Sequence, residues 1–188
     1  EDTGRTMLRA IQAYSGVTRE QVVADPKTPR RKFDEISDLL DMNEIQDWDL
    51  NKIEAYVEKE RPDILIVDQA DKVNINGNFN ASHERLRELY RRLRETAKKY
   101  DCALIAVSQA SNDAKGRTRL SGFDMEGSKI GKMAETDLVI GIGRHEQGDV
   151  DDSEPDTTRY LTVSKNKLSG WHGTVICNIQ PDVSRYVV

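Results

Sequence analysis

The sequence contains no long apolar run, few cysteines and no excess of basic charge. No apolar stretch approaches the roughly 20 residues that a membrane-spanning helix requires, and no secretory signal peptide opens the chain. The two cysteines, Cys102 and Cys177, have no metal-ligand spacing and form no disulfide framework, so a reducing, cytoplasmic setting is expected. The net charge of −5 excludes a general basic field, and any binding to nucleic acid must therefore come from a local basic stretch.

The bulk composition predicts one folded domain. The 188 residues are 37% hydrophobic and 32% charged, which is typical of a soluble globular protein and unlike a disordered one. A chain of this length can bury a substantial core. Residues 1–188 are therefore interpreted as a single domain. Because the chain starts at Glu1 rather than Met, we expect that domain to be incomplete at its N-terminus.

The stretch RPDILIVDQ, residues 61–69, is the feature around which the other elements are arranged. Its apolar residues Ile64 to Val67 lead directly into Asp68, and a short β-branched run of this kind predicts a strand buried on both faces. A second apolar run, Ala103 to Val107, is closed shortly afterwards by Gln109. Open α/β sheets bind ligands at the carboxyl ends of their strands, so two parallel strands with polar ends suggest a nucleotide site.

The other apolar patterns predict helices around these strands and a hairpin after them. Helical spacing of apolar residues or capping residues predict helices over residues 7–14, 19–23, 50–60, 82–97 and 128–134. Within residues 25–48 the pattern is ambiguous, because Phe33, Ile36, Leu39 and Leu40 could lie on a helix while residues 38–43 could equally be a short strand. A third apolar strand is predicted over 137–142, and alternating segments over 159–165 and 174–179 indicate a hairpin. The predicted fold is α/β, with a mostly parallel sheet flanked by helices and an antiparallel C-terminal extension.

Two polar residues at the predicted strand ends are candidates for phosphate chemistry. Asp68 could hold Mg²⁺ through its water shell, or it could merely cap the turn that follows. Gln109 could sense a γ-phosphate beside Asp68, although a glutamine at a strand end is common without any function. Asp71, three residues after Asp68, is expected to be solvated.

Two basic segments could contact phosphates. The first, called here the basic loop, spans residues 112–122 and carries Lys115, Arg117 and Arg119. Three cations on a flexible loop could follow a nucleic-acid backbone, or they could be a solvated charged surface. The second segment contains Lys165 and Lys167, whose i, i+2 spacing places them on one strand face, within possible reach of a phosphate on a neighbouring subunit.

Taken in order, these segments resemble the C-terminal motor domain of the DnaB-family replicative ring helicases, especially the phage type. The matching segments are ILIVD, SHERLRELYRRLRETAKKY, ALIAVSQ, NDAKGR, FDMEGSKIGKMAETDLVIGIGR and VSKNKLSGWHG. The resemblance runs from Glu1 to about Val188 and is more specific than any single motif. It implies a RecA-like P-loop NTPase core that uses Mg²⁺ and ATP or another nucleoside triphosphate. It also implies a cytoplasmic location, in the host cell if the protein is phage-encoded.

The resemblance assigns roles at the nucleotide site. Asp68 corresponds to the Walker B aspartate linked to Mg²⁺, and Gln109 corresponds to the sensor between the γ-phosphate and the DNA loop. Glu1 corresponds to the catalytic glutamate that orients the attacking water. Arg144 corresponds to an arginine that packs on the nucleotide base.

The resemblance also assigns roles to the basic segments. Lys165 and Lys167 correspond to a K-x-R pair that enters the active site of the neighbouring subunit. The residues that correspond to the loop gripping single-stranded DNA are Asn112, Lys115, Gly116 and Arg117, and the same loop continues to Arg119.

Three departures from the family pattern modify these expectations. No G-x-x-x-x-G-K-[ST] phosphate loop occurs in the chain, which agrees with a missing N-terminal segment, and hydrolysis by this segment alone is not expected. Lys167 stands where the family has arginine, and lysine lacks the planar fork that spans two phosphate oxygens. Glu126 stands where a DNA-facing arginine is expected.

The predicted function is therefore that of an ATP-dependent DNA helicase motor. It would act as a homo-oligomeric ring, expected to be a hexamer, that translocates on single-stranded DNA and unwinds duplex during replication. A primase could be a further partner. The alternatives are a RecA- or RadA-like DNA-binding ATPase that does not unwind, and a catalytically inactive RecA-like binding module.

Overall fold

A computed structural model describes residues 3–44, 48–127, 129–145 and 156–188. The helices within these ranges are α1 (Thr3–Ser15), α2 (Arg19–Ala24), α3 (Lys27–Ser37), α4 (Leu50–Glu60), α5 (Ser82–Tyr100) and α6 (Lys129–Glu135). The strands are β1 (Ile64–Val67), β2 (Ala103–Ala106), β3 (Leu138–Gly143), β4 (Thr158–Asn166), β5 (Gly173–Gln180) and β6 (Arg185–Val187). In the described part of the chain, no helix is both long and apolar enough to cross a membrane.

The strands form two sheets. Strands β1 and β2 pair in parallel, with Val67 opposite Ala106. The second sheet has the order β3-β4-β5-β6, and the pairs β3-β4 and β5-β6 are antiparallel. The α/β class, the parallel pair and the C-terminal hairpin are confirmed, but the expected mostly parallel sheet is wrong for the described residues. Strand β3 pairs with β4, which follows it in the chain, and is not hydrogen-bonded to β2.

The chain divides into two compact units, and the first consists of residues 1–46, 157–159 and 176–188. In this unit α1 packs on α3, and the rings of Tyr14 and Phe33 meet edge to face with centroids 6.3 Å apart. The Arg185 guanidinium donates to the carbonyl oxygens of Ala13 and Tyr14. These carbonyls belong to the last turn of α1, where no intrahelical donor remains, so Arg185 satisfies the end of that helix.

The second unit consists of residues 47–156 and 160–175, and its core lies between α4, α5 and the parallel strands. Every third or fourth residue of α5 is apolar, and its buried side chains include Leu86, Leu89, Tyr90 and Leu93. Helices α4 and α5 are each followed by a residue in the left-handed conformation, Arg61 after α4 and Asp101 after α5. These two residues turn the chain directly into β1 and β2, which explains the repeated order of helix and strand.

The parallel strands are buried on one face only, contrary to the expectation from their apolar sequence. Val67 is 3% exposed, but Ile64 and Ile66 are 59% and 63% exposed, and Ile105 on β2 is 50% exposed. Successive side chains of a strand point to opposite faces. Helix α5 packs on β2 and against α4 on the side where Val67 is buried, while the described residues leave the isoleucine face open.

Several local predictions are confirmed. Thr18 caps α2 through a capping box with Gln21, and Asp49 caps α4 by accepting from the Lys52 backbone N–H at 3.0 Å. Of the two alternatives left open after residue 25, Phe33 and Ile36 lie in the helix α3, and residues 38–43 form neither helix nor strand. The short strand β6 has no counterpart in the sequence prediction. The predicted start of α6 at residue 128 lies outside the described residues.

The basic loop lies across one face of β3. A Cβ atom added at Gly141 would be 2.7 Å from the Leu120 Cβ, and one added at Gly143 would be 2.6 Å from the Arg117 carbonyl oxygen. Real Cβ contacts are essentially never this short. The glycines of β3 therefore allow the backbone of the loop to approach the strand closely.

We predict that Gly143→Ala destabilises the protein by about 1–3 kcal/mol, because the added methyl group would displace the loop backbone. Urea unfolding followed by tryptophan fluorescence measures the change. Ile142→Val is the matched control on the opposite, 51% exposed face of the same strand, and it should change stability by less than about 0.5 kcal/mol. Equal effects of the two substitutions would contradict the close packing of the loop on β3.

Candidate functional site

Asp68 and Gln109 lie at the same edge of the parallel pair. The register continues past both strands, because the Val107 N–H donates to the Val67 carbonyl at 2.9 Å and the Ala70 N–H donates to the Val107 carbonyl at 3.0 Å. Both candidate side chains are exposed. The sequence prediction that two polar strand ends meet at one edge is therefore confirmed by the backbone.

The Asp68 side chain is exposed and does not cap the turn that follows it. The 3₁₀ turn that follows at Ala70–Lys72 has Gln69 as its N-cap residue and no side-chain cap. Among the described residues no side-chain hydrogen bond or ion pair involves Asp68. No cluster of three or more His, Cys, Asp or Glu residues suited to a metal occurs in that part of the chain. A single exposed carboxylate suits Mg²⁺, which proteins bind through one or two carboxylates together with substrate phosphates and water.

Asp71 is not the solvated residue that the sequence suggested. The Tyr90 hydroxyl donates to Asp71 Oδ1 at 2.9 Å, and the Ser108 hydroxyl donates to Asp71 Oδ2 at 2.6 Å. Arg85 donates to the Asp71 carbonyl oxygen at 2.8 Å, which fixes the backbone as well. Burial, and next the negative charge of Asp71, raise the pKa of Tyr90 well above its ordinary value. Tyr90 therefore stays a hydrogen-bond donor at physiological pH.

Lys132 on α6 completes this network and is fully buried. Its ammonium donates to Asp71 Oδ2 at 2.7 Å, to the Ser108 hydroxyl at 2.9 Å and to the Glu126 carbonyl oxygen at 2.6 Å. An ammonium group has three N–H donors, so every one of them has a partner. We call Asp71, Tyr90, Ser108 and Lys132 the buried polar cluster.

Sequence reasoning did not identify Lys132. Its partners Asp71 and Ser108 lie 61 and 24 residues away along the chain, and no local pattern connects them. The available signal is its place in a short helix between the apolar residues Ile130 and Met133, where a lysine must either reach solvent or find a buried partner.

The base of the basic loop is hydrogen-bonded to the end of β2. Ala110 and Met125 form an isolated antiparallel bridge, and the Ser111 N–H donates to the Asp124 carbonyl at 2.7 Å. The Glu126 N–H donates to the Gln109 carbonyl at 3.0 Å. The two ends of the loop are therefore held together directly after the candidate sensor.

The loop presents a cationic surface to solvent. The predicted DNA-contacting side chains Asn112, Lys115, Arg117 and Arg119 are all exposed, and Gly116 has a left-handed φ of +76° that suits glycine. Arg117 donates to Asp124 Oδ1 at 2.9 Å, so its charge is partly neutralised. Lys115 and Arg119 have no ion pair among the described residues, which leaves them as the loop cations available to an external anion.

Asp124 stabilises the base of the loop through its side chain. It accepts from the Ser121 N–H at 2.8 Å and from the Ser121 hydroxyl at 2.9 Å, in a capping box. The Ser121 backbone N–H is the largest cause that lowers the pKa of Asp124 below its ordinary value. Its ionised form is therefore the one that the folded loop prefers.

Lys165 and Lys167 contact α6 and the segment that follows it in their own chain. Lys165 donates to the Met133 carbonyl oxygen, and Lys167 Nζ lies 3.5 Å from Asp137 Oδ1. Arg94 also pairs with Asp137, at 3.2 Å. Burial, and next the neighbouring charge of Lys167, lower the pKa of Lys165.

Arg144 and Glu1 are the remaining predicted site residues, and the structure describes only Arg144. Arg144 is exposed and directly follows β3, as expected from the sequence. It also follows Gly143, the residue at which the basic loop meets the strand. Glu1 lies outside the described residues.

The fold and this edge of the sheet define an α/β protein with a solvent-facing carboxylate, a neighbouring amide and a basic loop at its strand ends. Residues 1–115 match the AAA_25 family, described as an AAA domain, and the chain belongs to that family. No curated protein matches the sequence.

The solved structures that share the fold include an ATPase domain and a replicative helicase. One is an ATPase domain, with a TM-score of 0.74 and 16% identity, and the match covers 100% of this chain and 71% of that one. The other is a DnaB-like replicative helicase, described together with its interactions with primase, with a TM-score of 0.80 and 17% identity. This second match covers 100% of the chain but 49% of its relative, so the chain spans about half of that protein.

We predict that Asp124→Asn lowers stability at pH 7 by about 1 kcal/mol, because it removes the charged acceptor at the loop base. The folded-state pKa of Asp124 is lowered, so its stabilising effect is complete above the unfolded value of about 3.9 and is lost as the pH falls through the folded value. The difference from the parent protein should therefore shrink below about pH 4.

Urea unfolding at a series of pH values from neutral to acidic measures this difference. Asp113→Asn is the control, since Asp113 is an exposed carboxylate of the same loop, and it should change stability by less than about 0.5 kcal/mol at every pH. A difference for Asp124→Asn that stays constant into acid would show that its charge does not stabilise the loop.

Proposed function

We propose that this chain is part of the motor of a DNA helicase, with a RecA-like core that hydrolyses ATP or another nucleoside triphosphate and translocates on single-stranded DNA. The similarity in fold to an ATPase domain and to a DnaB-like replicative helicase supports this proposal. The identities of 16% and 17% are low, so the activity is argued from the residues at the strand ends.

The observation that carries the proposal is the direct connection between the candidate phosphate-sensing edge and the basic loop. Gln109 follows β2 beside the strand end that carries Asp68, and its carbonyl accepts the Glu126 N–H at the loop base. Lys115 and Arg119 then project from that loop without an ion pair among the described residues. A motor requires such a connection, because the state of the nucleotide must change the grip on DNA.

The residues at the edge fit a magnesium–nucleotide complex. Asp68 would hold Mg²⁺ through water, and the bound ion would neutralise charge on the β- and γ-phosphates. In the same proposal Gln109 senses the γ-phosphate and Arg144 packs on the base. Glu1 orients the attacking water.

A ring of subunits, proposed to be a hexamer, would complete this site with Lys165 and Lys167 from the neighbour. The contact of Lys167 with Asp137 does not prevent this, since both side chains are nearly half exposed and such surface pairs contribute about 0–1 kcal/mol. Lys167 can therefore exchange Asp137 for a phosphate at little cost. A primase is a further proposed partner, because the DnaB-like relative is described with its interactions with primase.

We predict that Lys115→Ala combined with Arg119→Ala weakens binding to a single-stranded oligonucleotide at least about tenfold at about 100 mM salt. Two lost phosphate contacts should also reduce the slope of log affinity against log salt concentration by about 1.4. Fluorescence anisotropy of a labelled oligothymidine at several salt concentrations measures both quantities.

The control for this experiment is Lys98→Ala together with Lys99→Ala, which removes two positive charges from the exposed end of α5. That pair should leave both affinity and salt slope near the parent values. If the two double variants weaken binding equally, the oligonucleotide responds to net charge and the basic loop is not its site.

We predict that Asp68→Asn in the whole protein lowers magnesium-dependent nucleotide hydrolysis by about 10²-fold or more, because it removes the charge that positions the ion. Unwinding of a forked duplex by the parent protein, measured by release of a labelled strand, should fall in parallel. Hydrolysis without any unwinding in the parent would instead indicate a RecA-like DNA-binding ATPase.

A further inference from the structure

The buried ammonium of Lys132 connects three segments that are far apart in the chain. It donates to Asp71 after β1, to Ser108 after β2 and to the Glu126 carbonyl in the segment that follows the basic loop. Lys132 itself is 0% exposed, and Asp71 is 21% exposed in its side chain. Lysine is almost never fully buried unless it is paired, so this placement calls for a specific explanation.

Stability alone does not explain the arrangement. Replacing a buried ion pair with apolar residues of similar volume is often neutral or stabilising, because both charges must be removed from water. The contact with Glu126 is also unnecessary for neutralising charge, since Asp71 already supplies the opposite charge. What this third bond does is fix the backbone of Glu126 relative to the strand ends.

Glu126 is the residue at which two connections meet. Its N–H donates to the Gln109 carbonyl at 3.0 Å, and its own carbonyl accepts from Lys132 at 2.6 Å. Gln109 directly follows Ser108, and Asp71 lies three residues after Asp68 across a 3₁₀ turn. A displacement of either strand end would therefore move the peptide groups of Glu126.

We infer that Lys132 is a positioning residue that holds the base of the basic loop to both strand ends, so that a change at the Asp68–Gln109 edge reaches Lys115 and Arg119 as a movement of the loop. The meaning of that movement for DNA rests on the proposed function. The connection itself can be measured without DNA.

Three variants separate this role from a purely structural one. Lys132→Met removes the connection and leaves the partly buried Asp71 carboxylate without its cation. Lys132→Met combined with Asp71→Asn removes the connection and also the uncompensated charge. The Tm of this double variant should therefore lie well above that of Lys132→Met alone. Asp71→Asn alone leaves the buried Lys132 ammonium without its counter-charge, so its Tm should fall as well, but Ser108 and the Glu126 carbonyl can still accept from Lys132.

Hydrogen exchange of the backbone amides provides the readout. In the double variant the Glu126 amide should exchange about tenfold faster or more relative to the Leu89 and Leu93 amides of α5, which serve as an internal reference for global stability. In Asp71→Asn the same ratio should stay near that of the parent. If the ratio of the Glu126 exchange rate to the reference rates changes in proportion to Tm in all three variants, Lys132 is a structural residue only and the inference is overturned.

Oligonucleotide binding by the whole protein, with and without a non-hydrolysable ATP analogue, supplies the second readout. The parent should change its affinity for oligothymidine about fivefold or more when the analogue binds, and the double variant should lose that response. A double variant that responds like the parent would overturn the inference. A parent that binds no oligothymidine would refute the proposed function, and the exchange ratio would still decide the role of Lys132.

Discussion

The buried ion pair between Lys132 and Asp71 is the interaction on which the arrangement of the strand ends depends. An ammonium group in the protein interior is tolerated only when each of its donors has an acceptor, and here the acceptors come from three separate segments. The positions of Asp71, Ser108 and Glu126 are therefore mutually constrained. Moving Asp71 would leave the buried ammonium without its counter-charge, and moving Ser108 or Glu126 would leave one of its N–H donors without an acceptor.

The basic loop combines this fixed base with a solvent-facing surface. Its ends are joined by the Ala110–Met125 bridge, and its middle lies on the glycines of β3. Lys115 and Arg119 are exposed on a backbone that is held at several points. Such a loop loses little conformational entropy when it binds an anion, and it can move as a body when its base moves. Both properties fit the proposed role of this loop in binding and releasing a polyanion.

Local sequence determined most of the secondary structure. The capping box at Thr18, the cap at Asp49 and the 3.6-residue period of α5 act within a few residues, so each could be read directly from the chain. The alternating segments of β4 and β5 were equally clear. The prediction that β1 is buried on both faces was wrong for the described residues. An apolar run shows that both faces of a strand can be buried, but it does not show whether other elements cover them. The sequence also did not show that, among the described strands, β3 pairs with β4 and not with the parallel strands. Pairing depends on which strand lies next to it in the fold.

The sequence by itself thus determined three parts of the candidate site: a carboxylate after β1, an amide after β2 and cations on the loop that follows. These are features of single segments, and the directions of the strands bring them to one edge. Only the tertiary structure showed that Asp71 is part of a buried network, that Arg117 is paired with Asp124, and that Lys132 joins the loop to the strands. Each of these contacts depends on the position of a side chain from another segment. A long-range ion pair leaves no periodic trace in sequence, and its existence is decided when the helices pack on the sheet.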